Sequence, residues 1–513
     1  MWIATAEYSR ALDRRTTDEF GIPARILMER AGLAVFDAVR ELLPDGGRIT
    51  VLCGRGNNGG DGFVVARTAL DHGFDVDCLV AGESADLAPE AGEQMRIATA
   101  QGVQPIFFSD ARWHRKADTL GSRELIVDAL LGTGARCEVR GSIKDAIQAI
   151  NRSGVPTIAV DIPSGICCNT GEELGESVWA LRTVTFGLPK PFLFQGIGLE
   201  HSGYWTVSEI GIPHSLLQEA TTARLVDGEW VSNLLPERLR ASHKGENGSV
   251  LIVAGSRKMR GAAILAARAA LRSGAGLVTV ASVNEVCTAV SAHLPEVLVI
   301  PLPDTNGVLN EEAAKILIET RGKYHSAVFG PGLTHEAPVL DFLSTLWRTW
   351  SRPCVIDADA LNAVSAGIPL PHAECVLTPH PGEMSRLLHC SIAEIQADRF
   401  RTVAQAVREF SQCIVLKGPY SIAGEPGQPM LVNCTGNPGL ASGGMGDILS
   451  GVIGTLLGQD LPGYYAASCG IFWHGAAGDV CARDIGTIGY LASEVADALP
   501  KARANIVSAC EPH

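Results

Sequence analysis

Two periodicities alternate along the chain. Short β-rich apolar runs recur as Ile49 to Cys53, Asp75 to Val80, Leu125 to Leu130, Thr157 to Asp161 and Thr183 to Gly187, separated by helical stretches such as Ile143 to Ile150. Strand and helix in alternation predict a parallel sheet with helices on both faces, whose ligands bind at the carboxyl ends of the strands. A second series follows the same rule: Ser249 to Ala254, Leu277 to Ala281, Ala327 to Gly330, Cys354 to Asp357, Cys375 to Thr378 and Cys413 to Lys417. Before the first series, Arg25 to Leu43 carries apolar residues at helical spacing and stops at Pro44, which predicts a docked N-terminal helix. Residues 211 to 245 contain Pro213 and Pro236 and show no clear periodicity, so the seam between two halves is expected near residue 220. No internal repeat is visible. The expected fold is α/β, with two doubly wound parallel-sheet domains.

Composition narrows the partners. At 513 residues the chain exceeds what one hydrophobic core serves. A net charge of -14 without a run of lysine or arginine argues against nucleic acid and an anionic membrane surface. Anionic ligands must then be held by loops and helix ends. Fourteen cysteines lie scattered without paired metal spacing, which fits reduced cytosolic thiols. The N-terminus lacks a basic segment followed by an apolar core, and no apolar stretch reaches about 18 residues. A cytoplasmic protein is expected.

The densest chemistry of the first half is Gly54-Arg55-Gly56-Asn57-Asn58-Gly59-Gly60-Asp61-Gly62, placed between the first apolar run and the helical segment Phe63 to Leu70. Bare backbone amides at a helix start make a phosphate seat. A tight turn without ligand is the plainer alternative. Two more runs end in carboxylates and turns: Asp128-Ala129-Leu130-Leu131-Gly132-Thr133-Gly134, and Asp161-Ile162-Pro163-Ser164-Gly165. A cleft with a phosphate loop, a base and a cation site follows. Asp161 is the candidate general acid/base or stabiliser of a cationic ring, with helix capping or a salt bridge as the bland alternative. Lys190, in Gly187-Leu188-Pro189-Lys190-Pro191, is a weaker candidate, since a lone lysine is usually solvated.

These motifs resemble the N-terminal epimerase domain of the NAD(P)H-hydrate repair enzymes, a family that restores nicotinamide cofactors hydrated at C6 of the reduced ring. The resemblance implies a Rossmann-like domain over residues 1–220. It implies that Asn57, Asn58, Gly59, Gly60 and Asp61, with Gly132, Thr133, Gly134, Ala135, Arg136, Cys137 and Glu138, hold the hydrate, and that Asp161 stands at the reacting ring. It further implies a potassium ion on Asn58, Asp128 and Ser164, whose hard oxygen donors suit an alkali cation. Arg55 and Arg30 depart from the family pattern, where proline and asparagine are common.

In the second half, Ser442-Gly443-Gly444-Met445-Gly446-Asp447-Ile448 places glycines at a helix start and a carboxylate in its first turn. Such a loop builds an anion hole, and the aspartate can take a proton from an attacking hydroxyl. This resembles the G-x-G-D signature of the ribokinase-like superfamily. Thr378 to Glu383, Phe329 to Leu333, Leu416 to Ser421 and Gly261 to Gly276 follow the order of the nucleotide-dependent NAD(P)H-hydrate dehydratase domain, which the resemblance extends over residues 221–513. It implies that Ala263, Gly332, His380 and Asp447 contact the hydrate, while Lys417, Gly418, Pro419, Tyr420, Ser421 and Gly446 contact the adenine nucleotide. His380 has a bland alternative as a strand-end hydrogen-bonder, and Glu383 stands between helix cap and organiser of magnesium.

The implied protein is a bifunctional cofactor-repair enzyme that epimerises R- and S-NAD(P)H hydrate and dehydrates the S form at the expense of ADP. K+ and Mg2+ are the implied ions and ADP, or ATP, the co-substrate. NAD(P)H hydrate and adenine nucleotide are the implied partners, with a homo-oligomer expected. The alternative is a ribokinase-like kinase of a vitamin-type alcohol fused to a non-catalytic ligand-binding module.

Overall fold

The computed structural model describes residues 1–219 and 221–508, and divides into two compact units, Met1–Ala223 and Arg224–His513. Ala220, at the expected seam, and residues 509–513 lie outside the described residues. The first unit is built on seven strands: β1 (Arg48–Cys53), β2 (Asp75–Val80), β3 (Pro105–Phe107), β4 (Leu125–Ala129), β5 (Thr157–Val160), β6 (Arg182–Phe186) and β7 (Tyr204–Ser208). Their order is β3-β2-β1-β4-β5-β6-β7, and every pairing is parallel. This is the Rossmann arrangement, whose order reverses between β1 and β4. Successive residues alternate between two cores: Val51 and Cys53 face one cluster with Leu125 and Val127, while Leu52 and Ile126 face the other. A strand buried on both faces must be apolar throughout, which is why these runs stood out.

Most boundaries match the sequence pattern to a residue or two. The helix after β1 differs: it spans Asn57–Asp71 and so begins six residues before Phe63, inside the glycine loop. Three glycines, Gly59, Gly60 and Gly62, sit in the helix itself because neighbouring backbone and side chains leave no room for a Cβ. An ideal Cβ on Gly59 would lie 2.0 Å from Gly54 O, and one on Gly54 would lie 1.8 Å from Leu130 O. Three elements carried no usable pattern: β3, β7 and the charged N-terminal helix Ala6–Phe20, capped by Thr5 and ended by left-handed Gly21.

The second unit continues with β8 (Ser249–Val253), β9 (Leu277–Ser282), β10 (Leu298–Pro301), β11 (Ser326–Phe329), β12 (Cys354–Ile356), β13 (Cys375–Leu377), β14 (Cys413–Leu416), β15 (Ile422–Gly424) and β16 (Met430–Val432). They run in the order β16-β15-β14-β13-β12-β11-β8-β9-β10. From β14 to β10 all neighbours are parallel, and β15 and β16 add antiparallel strands at one side. The order reverses between β8 and β11. Helices Arg260–Arg272 and Met445–Gly458 pack on each other and on this sheet.

Candidate active sites

In the first unit, Asp161 follows β5 in a left-handed conformation (φ 66°) that a non-glycine residue adopts only under constraint. The constraint is visible. Asp161 Oδ1 accepts from Lys190 Nζ at 2.6 Å, from Thr185 Oγ1 at 3.0 Å and from the Phe186 amide at 3.3 Å. All three bonds fall on Oδ1, which leaves Oδ2 for a ligand. Lys190, only 2% exposed, also donates to Thr185 Oγ1 and Phe186 O, so it belongs to the site rather than to solvent.

Two further carboxylates surround this pair. Asp61, in the first turns of the helix Asn57–Asp71, is buried, and desolvation, then Asp161, then Asp13 raise its carboxyl well above the usual range. Asp13 had no signal in the sequence beyond a charged helix. Leu12 packs with Leu188 in a small core, and the Ala4 amide bonds Pro189 O at 2.9 Å, which carries the next residue over Lys190. Asp13 as a whole is solvent-exposed, yet its carboxyl is crowded: desolvation raises it to about 6, Lys190 pulling down and Asp161 pushing up.

Asn58, Asp128 and Ser164 converge on the turn after β4, at the reversal of strand order. Asp128 is fully buried; its Oδ1 accepts from Ser164 Oγ at 2.6 Å and the Leu130 amide at 3.2 Å, its Oδ2 from the Ser164 amide at 2.8 Å. Asn58 Nδ2 donates to Leu131 O at 3.1 Å, which turns Oδ1 toward Gly132. Burial raises the Asp128 carboxyl to about 6 despite the Ser164 bonds, and no cationic side chain pairs with it among the described residues. A buried carboxylate without a counter-charge, beside amide and hydroxyl oxygens, is a donor set that fits a hard alkali cation. In the neighbouring loop, Gly132 and Thr133 are half-buried, Arg136 pairs with Glu7 of the N-terminal helix, and Cys137 and Glu138 are exposed. Asn57 is exposed, whereas Asn58, Gly59 and Gly60 are buried. Arg55 lays its stem over Gly82 and Arg30 covers Gly211.

In the second unit, Asp447 stands in the first turn of Met445–Gly458, behind left-handed Gly444 (φ 89°). Desolvation first, then Asp357, raise its carboxyl to about 7; Lys417 opposes and Asp359 adds to the shift. Lys417 Nζ donates to Asp357 Oδ1 at 2.8 Å and lies 3.6 Å from Glu383. Burial alone would lower its ammonium, but Asp357 and Glu383 outweigh burial and hold it above the usual lysine range. An ideal Cβ on Gly446 would lie in ordinary contact, 3.4 Å from this Nζ, so the glycine stands directly beside the cation.

Glu383 caps its helix, accepting from the His380 amide at 2.8 Å, and the His380 ring accepts from Gly382 N at 3.0 Å. Burial, then Lys417 and Arg386, lower the histidine, which keeps the ring neutral near pH 7. Gly332 (φ 67°) abuts Met259 and Ala262, one residue from buried Ala263. The loop Lys417 to Ser421 is braced from below by Arg399, 2% exposed, which donates to Pro419 O and Leu416 O; Ser421 Oγ donates to Gly418 O at 3.0 Å. Sequence reasoning passed over Asp357, Ser450 and Arg399. Asp357 had a signal, a carboxylate ending an apolar run, and Ser450 Oγ fixes its Oδ2 at 2.5 Å. Arg399 had none, because an arginine on an amphipathic helix reads as solvated.

Two doubly wound α/β units, each with one lysine set among three carboxylates, buried in the first and half-buried in the second, define a two-site enzyme class. Residues 24–192 match the family described as the YjeF-related protein N-terminus, and residues 250–501 match the NAD(P)H-hydrate dehydratase family. The bifunctional NAD(P)H-hydrate repair enzyme of Moorella thermoacetica is 38% identical over 515 aligned residues, covering 99% of this chain and 97% of the relative. That of Escherichia coli is 38% identical, covering 97% and 93%. A ribokinase-like superfamily protein of Enterococcus faecalis is similar in structure, with TM-score 0.50 and 26% identity over 56% of this chain and 98% of that one. The chain belongs to the bifunctional NAD(P)H-hydrate repair enzyme family.

Proposed function

We propose that this chain repairs hydrated nicotinamide cofactors at two sites, with residues 1–220 interconverting the C6 epimers and residues 221–513 removing the water. The observation that carries the reading is the pairing of a carboxylate with a free oxygen, Asp161 Oδ2 beside Lys190, and a carboxylate near neutrality, Asp447 beside Lys417, on units matching the two halves of one family.

At the first site the hydroxyl leaves C6 and returns on the other face of the ring. Asp161 Oδ2 faces the ring and stabilises its positive charge, while Lys190 and Thr185 keep the carboxylate aimed. Asn57 to Asp61 and Gly132 to Glu138 hold the dinucleotide. Asn58, Asp128 and Ser164 would hold potassium, which supplies positive charge beside the phosphates. At the second site Asp447 takes the proton of the C6 hydroxyl. The freed oxygen attacks the terminal phosphorus of the nucleotide, AMP leaves when ADP is the donor, and the C6–O bond then breaks with inorganic phosphate departing. Loss of a C5 proton restores the dihydropyridine. Ala263, Gly332 and His380 contact the hydrate; Lys417 to Ser421 and Gly446 contact the nucleotide with its Mg2+. No helix among the described residues is long and apolar enough to cross a membrane, and the proposed setting is the cytoplasm.

Mixed hydrate epimers incubated with ADP or ATP test this. Recovery of the near-ultraviolet absorbance of reduced cofactor is expected; a stable phosphorylated product would instead make the second unit a kinase. Asp161→Ala is expected to leave the R epimer unconsumed while the S epimer still disappears.

A further inference from the structure

We propose that the cavity at the β8/β11 crevice of the second unit is a subsite for a phosphate group of the dinucleotide substrate, at which Arg257, Lys258 and Arg260 set affinity for the hydrate. The inference rests on the repair reading and adds the part of the substrate remote from the reacting ring.

The cavity, about 460 Å³, is lined by the loop after β8 (Ser256, Arg257, Lys258, Arg260), the turn Asn306 to Val308, and Thr334 and Glu336 after β11. Strand order reverses here, where an open α/β sheet leaves a crevice for ligands. Three cations face one carboxylate, Glu336, in a chain of net charge -14. None of the three forms an ion pair among the described residues. Arg257 is held in place: its amide donates to Gly307 O at 2.9 Å, and an ideal Cβ on Gly307 would meet Arg257 Cβ at 2.4 Å. Arg260 opens the thirteen-residue helix Arg260–Arg272, whose first amides point out of its start.

Independent of these charges, two hydroxyls at the cavity lack partners. Ser256, 1% exposed, has a buried Oγ with no hydrogen bond, and so has Thr334 Oγ1. An unmade bond at a buried hydroxyl is destabilising, so a ligand oxygen that accepts from it is favoured. Thr334, a β-branched residue, holds left-handed backbone (φ 74°) at the rim, as residues do where a site is built against local preference.

The cavity is continuous with the proposed hydrate contacts. Gly332 abuts Met259, between Lys258 and Arg260, and the Thr334 amide donates at 2.8 Å to Asp359, the residue whose charge reaches Asp447. A ring at Ala263 and Gly332 therefore sends its phosphates toward Arg257 and Arg260. The adenine nucleotide's own contacts, Lys417 to Ser421, lie on the loop after β14, three strands away from β11 in the sheet order.

The test uses the full chain carrying R257A, K258A and R260A together. All three side chains are exposed, so the thermal midpoint is expected to stay that of the parent. KM for the S hydrate is expected to rise about tenfold at low salt, the sum of three partly screened charge contacts, with kcat and the KM for ADP unchanged. R257K with R260K is expected to restore most of it, and E336Q to tighten binding. A rise confined to NADPH hydrate assigns the group to the ribose phosphate; an equal rise with NADH hydrate assigns it to the pyrophosphate. An unchanged KM for both hydrates overturns the proposal. If the parent chain consumed no hydrate, the repair reading itself would fail. Calorimetric binding of intact NADPH and NADH to parent and variant would then still decide the cavity.

Discussion

Each unit centres on one lysine among three carboxylates, and the two lysines do opposite things. Lys190 donates directly to Asp161, the carboxylate that faces the ring, and so orients it. Lys417 donates to Asp357, a carboxylate that Ser450 already fixes, while Asp447 has no side-chain hydrogen bond among the described residues and its carboxyl is raised to about 7. A carboxylate that stabilises positive charge gains from a fixed direction; one that accepts a proton gains from an affinity matched to the working pH. The same set of four ionisable groups becomes a clamp in one unit and a poised base in the other through which aspartate the lysine touches.

The sharpest way to break this contrast is Asp447→Asn. Dehydration is expected to fall about a thousandfold, the scale of losing a general base, while epimerisation is retained. Loss of both activities with the fold intact would refute independent sites. The pH profile sharpens the same point. Since only the ionised carboxylate accepts the proton, dehydration is expected to lose about tenfold per unit below pH 7, and epimerisation is expected to decline far less over the same range. Stability runs the other way. A carboxyl raised from 3.8 in the fold contributes most below pH 3.8, and that contribution disappears as pH rises through about 7. Asp447→Asn is therefore expected to flatten the fall in melting temperature between about pH 4 and pH 7.

Next in size is Lys190→Met. Removing the cation strands a mostly buried Asp161, with an expected cost of about 3–5 kcal/mol to the first unit and about a hundredfold in epimerisation. Lys190→Arg is expected to recover part of the stability and little of the rate, because a guanidinium cannot reach Oδ1, Thr185 and Phe186 O from the same point. An unchanged R-epimer rate in Lys190→Met would remove the clamp.

The reach of sequence reasoning follows from where each signal originates. Strands covered on both faces announced themselves as apolar runs, and a carboxylate ending such a run, as in Asp128 and Asp161, is a local pattern. Short edge strands with one face in solvent, such as Tyr204–Ser208, lack that contrast. Lys190 was underrated because nothing local says that Thr185 and Asp161 close over it. Asp13 and Arg399 owe their places wholly to tertiary packing, through Leu12 on Leu188 in one case and a buried guanidinium under Pro419 in the other. The glycine loops show the same limit. Counting glycines made both loops anion seats, but Gly54 and Gly59 are glycine because backbone touches them, whereas Gly446 faces Lys417 Nζ. Gly59→Ala is accordingly expected to destabilise the first unit by about 3 kcal/mol, the upper end of overpacking costs. Gly446→Ala is expected to leave stability near the parent and raise the KM for ADP a few-fold. Thermal melts alongside nucleotide titrations separate the two, and equal melting temperatures would erase the distinction.

The smallest expected effect falls on Asp13, and it asks whether the first site is a clamp of two groups or of three. Its carboxyl stands over Lys190 and Asp161 at about 6, so it carries charge above that pH and loses it below. Ionised Asp13 competes with Asp161 for the lysine and adds negative potential over a ring that turns positive during epimerisation. Protonated, it does neither. Asp13→Asn keeps the shape and removes the charge at every pH. If Asp13 contributes to stabilising the ring, epimerisation in the variant is expected to fall about threefold to tenfold at pH 7.5, the worth of one partly screened charge. The parent's decline between pH 7 and 5 is expected to become shallower in the variant, with dehydration unmoved. If Asp13 only competes for Lys190, the variant is faster than the parent, and its gain vanishes below pH 6. The direction of change at pH 7.5 therefore decides whether the N-terminal helix supplies a third working carboxylate or a brake on the first.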